Sequence, residues 1–158
     1  MYRKLTFSGA LLLGTVDGAN IEIAEDAGED QCFMFGHLAE DVQQVRYSNS
    51  YNPTSLEERS PELAEVFKKI ESGAFGDGHI YESLLKTVYE HDYYLVSNDF
   101  GSYLEAIRLV DDLWSGEKDE WTKKSILTSY AMGDFSSDRS VQDYADGVSQ
   151  RCLEFGLS

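Results

Sequence analysis

Apolar residues form two short unbroken runs near the start of the chain and helically spaced stripes through the rest of it. Leu11 to Leu13 and Cys32 to Phe35 are continuous rather than alternating, the pattern of strands covered on both faces. Between them, Asn20 to Ala27 reads as a short helix closed by Gly28, and Gly36 stops the second run. The spacing predicts a parallel strand–helix–strand crossover. After Gly36 the period changes to that of helices. Ala39 to Tyr47 predicts a short helix, and Asn49 to Ser60, with Asn52-Pro53, predicts a loop. Ser60-Pro61 has the form of a cap followed by proline at the first helical position. Leu63, Val66, Phe67 and Ile70 then make an amphipathic stripe that Gly73 ends. Ile80, Leu84, Leu85 and Val88 mark another helix, and Tyr93 to Val96 reads as extended. Asn98-Asp99 is placed to cap a longer helix whose face is Tyr103, Ala106, Ile107, Val110, Leu113 and Trp114. Gly116 breaks it, Trp121 to Tyr130 follows, Gly133 to Arg139 predicts a turn, and Val141 to Ala145 opens a last helix.

This pattern carries a physical difficulty. Two buried-type strands do not make a stable sheet alone; about three strands or a full helical cover are needed. Unpaired edges would take up strands from another chain. The helical remainder covers one face at most. The expectation is either a piece of a larger domain or a non-catalytic interaction module that pairs with a protein partner through its incomplete sheet edge.

Composition narrows the classes. The 158 residues include 42% hydrophobic residues with ten Tyr, eight Phe and two Trp, enough for a packed core. The net charge of −16 repels phosphate backbones and anionic bilayers, so neither nucleic acid nor membrane is expected as a partner. Tyr2, Arg3 and Lys4 precede only a very short apolar run, and no stretch approaches transmembrane length, so a cytoplasmic location is the default expectation. Cys32 and Cys152 lack metal spacing, and Cys32 lies in an apolar run where a buried thiol is expected.

Candidate chemistry is sparse. The turn Gly14-Thr15-Val16-Asp17-Gly18 resembles a phosphate-cradling loop only loosely, being neither Gly-x-Gly-x-x-Gly nor a P-loop, and a structural strand-to-helix turn is the plainer reading. His37, His79 and His91 are scattered without metal spacing, and His37 and His91 read as hydrogen-bonded structural residues. Glu57-Glu58 and Asp111-Asp112 are sequence neighbours, which do not share a helix face, so each pair reads as solvated surface. No Gly-x-Ser-x-Gly nucleophile turn occurs. No catalytic residue and no metal ligand is assigned.

The string from Gly9 to Ile23, Gly-Ala-Leu-Leu-Leu-Gly-Thr-Val-Asp-Gly-Ala-Asn-Ile-Glu-Ile, resembles the glycogen (α-glucan) phosphorylase family. The resemblance continues in order through Ala27 to Asp30, Phe33 to Gly36 and Tyr51-Asn52-Pro53. It runs on through His91 to Val96, Asp99 to Tyr103, Glu120 to Leu127, Gly133 to Arg139 and Tyr144-Ala145. The Tyr-Tyr-Leu-Val wording is similar to fungal members. The resemblance implies an α/β fold: the C-terminal part of a GT-B Rossmann-like domain, a short parallel βαβ unit, followed by a mainly helical tail. It implies an enzyme that releases glucose 1-phosphate from α-1,4-glucan ends with inorganic phosphate and with retention. It also implies pyridoxal 5′-phosphate, held as a Schiff base to lysine, whose own phosphate gives and takes the proton.

Ungapped alignment puts Lys4 at the position of the family's cofactor lysine. Its neighbours are Tyr2-Arg3 and Leu5-Thr6-Phe7-Ser8, where the family has Asn-Met before and an aromatic-x-Leu-Asn after. The family's Gly-Thr-Gly-like phosphate loop has no counterpart here. Near the other end, Gly147-Val148-Ser149-Gln150-Arg151-Cys152 replaces the family's continuation. Residues 1–8 and 147–158 thus depart from the pattern, as read-through or gene-model boundaries would, and Gly9 to Asp146 reads as the inherited part. The whole is expected to be a partial, cofactor-side domain without phosphorylase activity on its own.

Overall fold

The structure, a computed structural model, describes residues 2–51 and 55–154. A parallel strand–helix–strand unit opens the architecture and helices complete it. Strand β1 (Leu13–Thr15) leads into helix α2 (Gly18–Ala27), a 3₁₀ turn (Glu29–Gln31) and strand β2 (Phe33–Phe35). Leu13 lies opposite Phe33, Gly14 opposite Met34 and Thr15 opposite Phe35. Helix α1 (Tyr2–Phe7) precedes this unit, where the sequence pattern predicted no element. After it come α3 (Val42–Tyr51), α4 (Leu56–Arg59), α5 (Pro61–Glu71), α6 (Glu82–Glu90), α7 (Val96–Gly116), α8 (Lys118–Ala131) and α9 (Ser137–Glu154). The expected α/β character, two short parallel strands followed by a mainly helical remainder, is what the chain adopts.

Strand β1 is shifted toward the turn relative to the predicted Leu11–Leu13. Phe33 N–H donates to Leu12 O at 2.8 Å, and the ladder then runs on through Gly14 and Thr15. Leu12 itself goes into the core, 3% exposed, with Ile23 of α2, Ala131 of α8 and Met132. The predicted cover of both strands on both faces is not met: every residue of β1 and β2 is only half-buried. Helix α7 packs on β2, with Phe35 and Tyr103 rings edge to face at 5.2 Å. Each strand has one neighbour among the described residues, so each keeps an unpaired edge.

A second core lies among α4, α5 and α6. It buries Leu56, Leu63, Ala64, Phe67, Leu85 and Val88. The stripe on α5 is rotated from the predicted one: Ala64 is buried while Val66 is 40% exposed. Similarly, Ile80 and Leu84 face outward and Leu85 and Val88 face inward. The predicted loop from Asn49 to Ser60 is partly helical. Helix α3 begins later than predicted and runs to Tyr51, and Ser55 opens α4 through a reciprocal capping box with Glu58. Asn52-Pro53 lies outside the described residues. Pro61 takes the first position of α5 as predicted, but the Ser60 side chain makes no cap bond and is buried instead.

Between the two cores, residues 92–95 form a tight turn rather than the predicted extended segment. Asp92 (φ 37°) and Leu95 (φ 57°) are the non-glycine residues with left-handed backbone among those described. Each such state costs about 1–2 kcal/mol, less for Asp than for Leu. The compensation is visible. The Asp92 carboxylate, 1% exposed, accepts from Val96 N–H at 2.8 Å, from Ser97 N–H at 2.9 Å and from the Ser97 hydroxyl. Helix α7 therefore starts at Val96 and is capped by Asp92, not by Asn98-Asp99. Arg59 Nη1 approaches the same carboxylate at 3.9 Å, tying α4 to the start of α7. Further on, the predicted turn from Gly133 to Arg139 is a 3₁₀ turn (Met132–Phe135), and α9 already begins at Ser137.

Candidate functional site

The carboxyl ends of parallel strands are where α/β folds gather loops and helix starts, and both ends here are built from specific polar contacts. At the end of β1, Thr15 O accepts from Asp17 N–H at 2.8 Å and from Asn20 Nδ2 at 2.9 Å. Thr15 Oγ1 donates to Asp17 Oδ1 at 3.2 Å, and Asn20 N–H donates to Asp17 O at 3.1 Å. Gly14 makes room here: a Cβ would lie 2.7 Å from Asn20 Nδ2, so a larger residue would push aside the Asn20 amide that crosses the strand. Two amides of the turn are engaged within it, and the Asp17 carboxylate sits at the start of α2. Both features suit a structural turn and disfavour a phosphate cradle.

At the end of β2, Gly36 takes a left-handed φ of 84° and the chain meets the second turn of α7. Gly36 N–H donates to Ser102 Oγ at 3.1 Å, and Ser102 Oγ donates to Asp99 O at 2.8 Å. His37 N–H donates to Asp99 Oδ1 at 3.1 Å, and His37 Nδ1 lies 2.6 Å from the same oxygen. A Cβ on Gly36 would come within 2.9 Å of Asp99 Oδ2, so this glycine admits the carboxylate. With Nδ1 held by Asp99, His37 has Nε2 left for hydrogen bonding or proton transfer. The pair is partly open, with side-chain exposures of 34% for His37 and 15% for Asp99. His37 is thus the hydrogen-bonded residue the sequence suggested. Asp99, predicted as a helix cap, instead anchors β2, a contact 62 positions away that no local pattern encodes.

Lys4 lies elsewhere. It is exposed on α1, which packs against α8 and the Met132–Phe135 turn rather than against β2 and α7. Among the described residues no hydrogen bond or ion pair engages its Nζ. Pyridoxal 5′-phosphate needs an amine for the Schiff base and donors for its phosphate. Lys4 offers an accessible amine. The hydroxyls that meet the α1–β1 link are already engaged: Ser129 Oγ donates to Phe7 O and Ser125 Oγ to Gly9 O, each at 2.7 Å. The described residues therefore fit the lysine half of that chemistry and do not form a complete site for the group.

The other sequence candidates are dispersed. His79 and His91 are exposed beside Glu82 and Glu90 at 3.7 and 3.9 Å. Glu58 belongs to the capping box, Glu57 pairs with Lys68 at 3.5 Å, and Asp111 and Asp112 are exposed on α7. Burial pushes the Cys32 thiol pKa up, with Lys124 opposing, which keeps it protonated and unreactive. Among the described residues no three His, Cys, Asp or Glu side chains gather as metal ligands, and no helix is long and apolar enough to cross a membrane. An open concavity of about 790 Å³ lies between α5 and α6, rimmed by Glu71, Asp77, Glu82 and Glu90 with Tyr89 in its wall. Burial raises the Tyr89 pKa and neighbouring Glu71 adds to the shift, so the phenol stays neutral there.

Residues 2–150 match the carbohydrate phosphorylase family. The chain is 43% identical over 148 residues to glycogen phosphorylase of Saccharomyces cerevisiae, covering 92% of this chain and 16% of that protein. It is 40% identical over 151 residues to the alpha-glucan phosphorylase H isozyme of Solanum tuberosum, covering 92% and 17%. Against glycogen phosphorylase of Haemophilus influenzae the identity is 39% over 147 residues, covering 92% and 18%. The chain thus spans about a sixth of the length of these relatives. With the match running through both strand ends, the turn at Asp92 and α8, the chain belongs to the carbohydrate phosphorylase family.

Proposed function

We propose that this chain is the C-terminal part of an α-1,4-glucan (glycogen) phosphorylase, which releases glucose 1-phosphate from glucan ends with inorganic phosphate. The observation that carries the reading is the collinear likeness to glycogen phosphorylases over 92% of the chain. In this reading the βαβ unit is the end of a GT-B cofactor-side domain in the cytoplasm. Gly9 to Asp146 is the inherited segment, and the helices from α3 onward buttress it. The open strand edges then take further strands of that domain.

Lys4 is proposed as the residue that holds pyridoxal 5′-phosphate. Its exposed amine supports this, and the phosphate donors would come from outside the described residues. When bound, that group supplies an acid–base phosphate to the reaction. The His37–Asp99 contact has a positioning role: it fixes α7 on the end of β2. By itself the 158-residue chain is expected to be inactive, because the described residues form no complete anion cradle.

A chimera tests the reading. In yeast glycogen phosphorylase the stretch matching residues 2–150 is replaced by this chain's own. Phosphorolysis of glycogen is expected, as are borohydride trapping of the cofactor on Lys4 and loss of both in Lys4→Ala. An inactive but folded chimera would overturn the catalytic reading. Full activity of Lys4→Ala would overturn the assignment of the lysine.

A further inference from the structure

We propose that Ser125 and Ser129 of α8 are positioning residues for the Lys4 amine: their two hydroxyls latch the C-terminal end of α1 and so fix where the lysine stands. The inference rests on the reading of Lys4 as the cofactor lysine and adds the residues that hold it in place.

Helix α1 cannot hold itself. Its 6 residues are too few for a helix to be stable without outside contacts. Of Lys4, Leu5, Thr6 and Phe7, Thr6 alone is buried, at 2% exposed, while Leu5 and Phe7 are more than half exposed. The last carbonyls of a helix have no partner within it. Here they are gathered from two sides. Ser8 turns back on the helix, its N–H and its Oγ donating to Lys4 O at 3.2 and 2.9 Å. From α8, Ser129 Oγ donates to Phe7 O and Ser125 Oγ to Gly9 O. Gly9 takes a left-handed φ of 91°, and a Cβ there would come within 3.1 Å of Ser125 Oγ. The glycine thus turns the chain and leaves room for the serine.

The two serines stand four positions apart, about one helical turn, so both reach the same segment. The element they tie it to is itself firmly seated. Thr128, between them, is fully buried and Ala131 nearly so. Lys124 Nζ of the same helix donates to Asp30 O, just before β2. One helix therefore holds both the end of α1 and the approach to β2, and it sets the lysine against the strand ends. The hydroxyls do not touch the amine. A lysine side chain is long and mobile, so its backbone is the part that the fold can fix.

Amide exchange in the 158-residue chain reads the latch. Ser125→Ala and Ser129→Ala should each speed exchange of the Ser8, Gly9 and Ala10 amides about fivefold, the factor set by one lost hydrogen bond, and leave the α4–α6 core unchanged. The chimera described above reads the consequence for the lysine. With pyridoxal 5′-phosphate trapped on Lys4 in the unaltered chimera, the Ser125→Ala/Ser129→Ala variant should release the cofactor to hydroxylamine about tenfold faster. Ser129→Thr keeps a hydroxyl and should release it more slowly than Ser129→Ala. Thr122→Ala is the control for a lost α8 hydroxyl, because Thr122 Oγ1 donates within the helix to Lys118 O at 2.8 Å, and it should release at the unaltered rate. Far-UV circular dichroism checks that the variants are folded. Unchanged exchange at Ser8 to Ala10 would overturn the latch. Release unaffected by the serine changes, or equally fast in Thr122→Ala, would overturn the positioning role and leave Lys4 as the cofactor lysine. No trapping on Lys4 in the unaltered chimera would overturn the lysine assignment and the positioning role with it.

Discussion

The two hydrophobic cores are assembled in different ways. The α4–α6 core draws all its buried residues from Leu56 to Val88, a stretch in which each helix packs on one that is near in sequence. The strand-end core joins Leu12 and Ile23 to Ala131 and Met132, across more than a hundred positions. Its fastenings are equally distant: Ser125 to Gly9, Ser129 to Phe7, and Lys124 Nζ to Asp30 O. Local contacts form early and cheaply, whereas distant ones must first close a long loop. Both cores are fully buried, but the strands beside the second are less covered, since every residue of β1 and β2 is only half-buried. The helical core is a unit that holds itself together. The strand end is held by helices distant in sequence, and among the described residues each of its strands has one unpaired edge.

The joint between the regions is the place to separate them, and it carries the largest expected effect. Asp92 receives the first amides of α7 from one region and faces Arg59 of the other. Asp92→Ala leaves those amides unpaired and a nearly buried guanidinium without its counter-charge. The expected loss is about 3 kcal/mol, read from urea unfolding. If the joint couples the cores, the transition should also split, with strand-end signals lost at lower denaturant than helical ones. A single unchanged transition would show that the cores do not communicate through Asp92. Asp92→Asn, which can still accept from the amides, should recover part of the loss.

How much of this was legible beforehand differs along the same line. The βαβ order, the stops at Gly28 and Gly36, and Pro61 at a helix start are local signals, and the chain adopts each of them. The ordered family blocks likewise identified a phosphorylase-family segment. The misses are of two kinds. Where aromatic and branched residues looked extended, as from Tyr93 to Val96, the buried Asp92 carboxylate, four residues before Val96, overrode propensity and started a helix. Where a partner was remote, as for Asp99 with His37, the sequence showed two unremarkable residues and the fold made them a pair. The rotated stripe of α5 has a simpler cause: Ala64 is small, carries little weight in a hydrophobic pattern, and is the residue that lets α5 approach its neighbours.

A smaller effect is expected within the strand-end region. Gly14→Ala places a methyl 2.7 Å from Asn20 Nδ2 and drives the amide off Thr15 O. Loss of that bond and local crowding together should cost about 2 kcal/mol. The effect should be confined. Amide exchange should accelerate in β1 and α2 while the α4–α6 core keeps its protection. Pairing the change with Asn20→Ala removes the clash, so the double variant should lose less than the two single losses added. Strict additivity would mean that Asn20 does not cross the strand as described.

The smallest effect sharpens the comparison from the other side. Ser55 accepts from Glu58 N–H at 3.2 Å, and Glu58 Oε2 accepts from Ser55 N–H at 3.2 Å, closing the box that begins α4. Ser55→Ala removes one of the two bonds and should cost about 1 kcal/mol. Because α4 delivers both Leu56 and Arg59, the loss enters the helical core and its joint together. If that core is the self-sufficient region, amide exchange from Leu56 to Glu90 should speed up by about fivefold, the factor that 1 kcal/mol sets. Exchange in β1 and β2 should then change by less. Equal acceleration in both regions would mean that the chain opens as one cooperative unit and that the two cores differ in assembly alone.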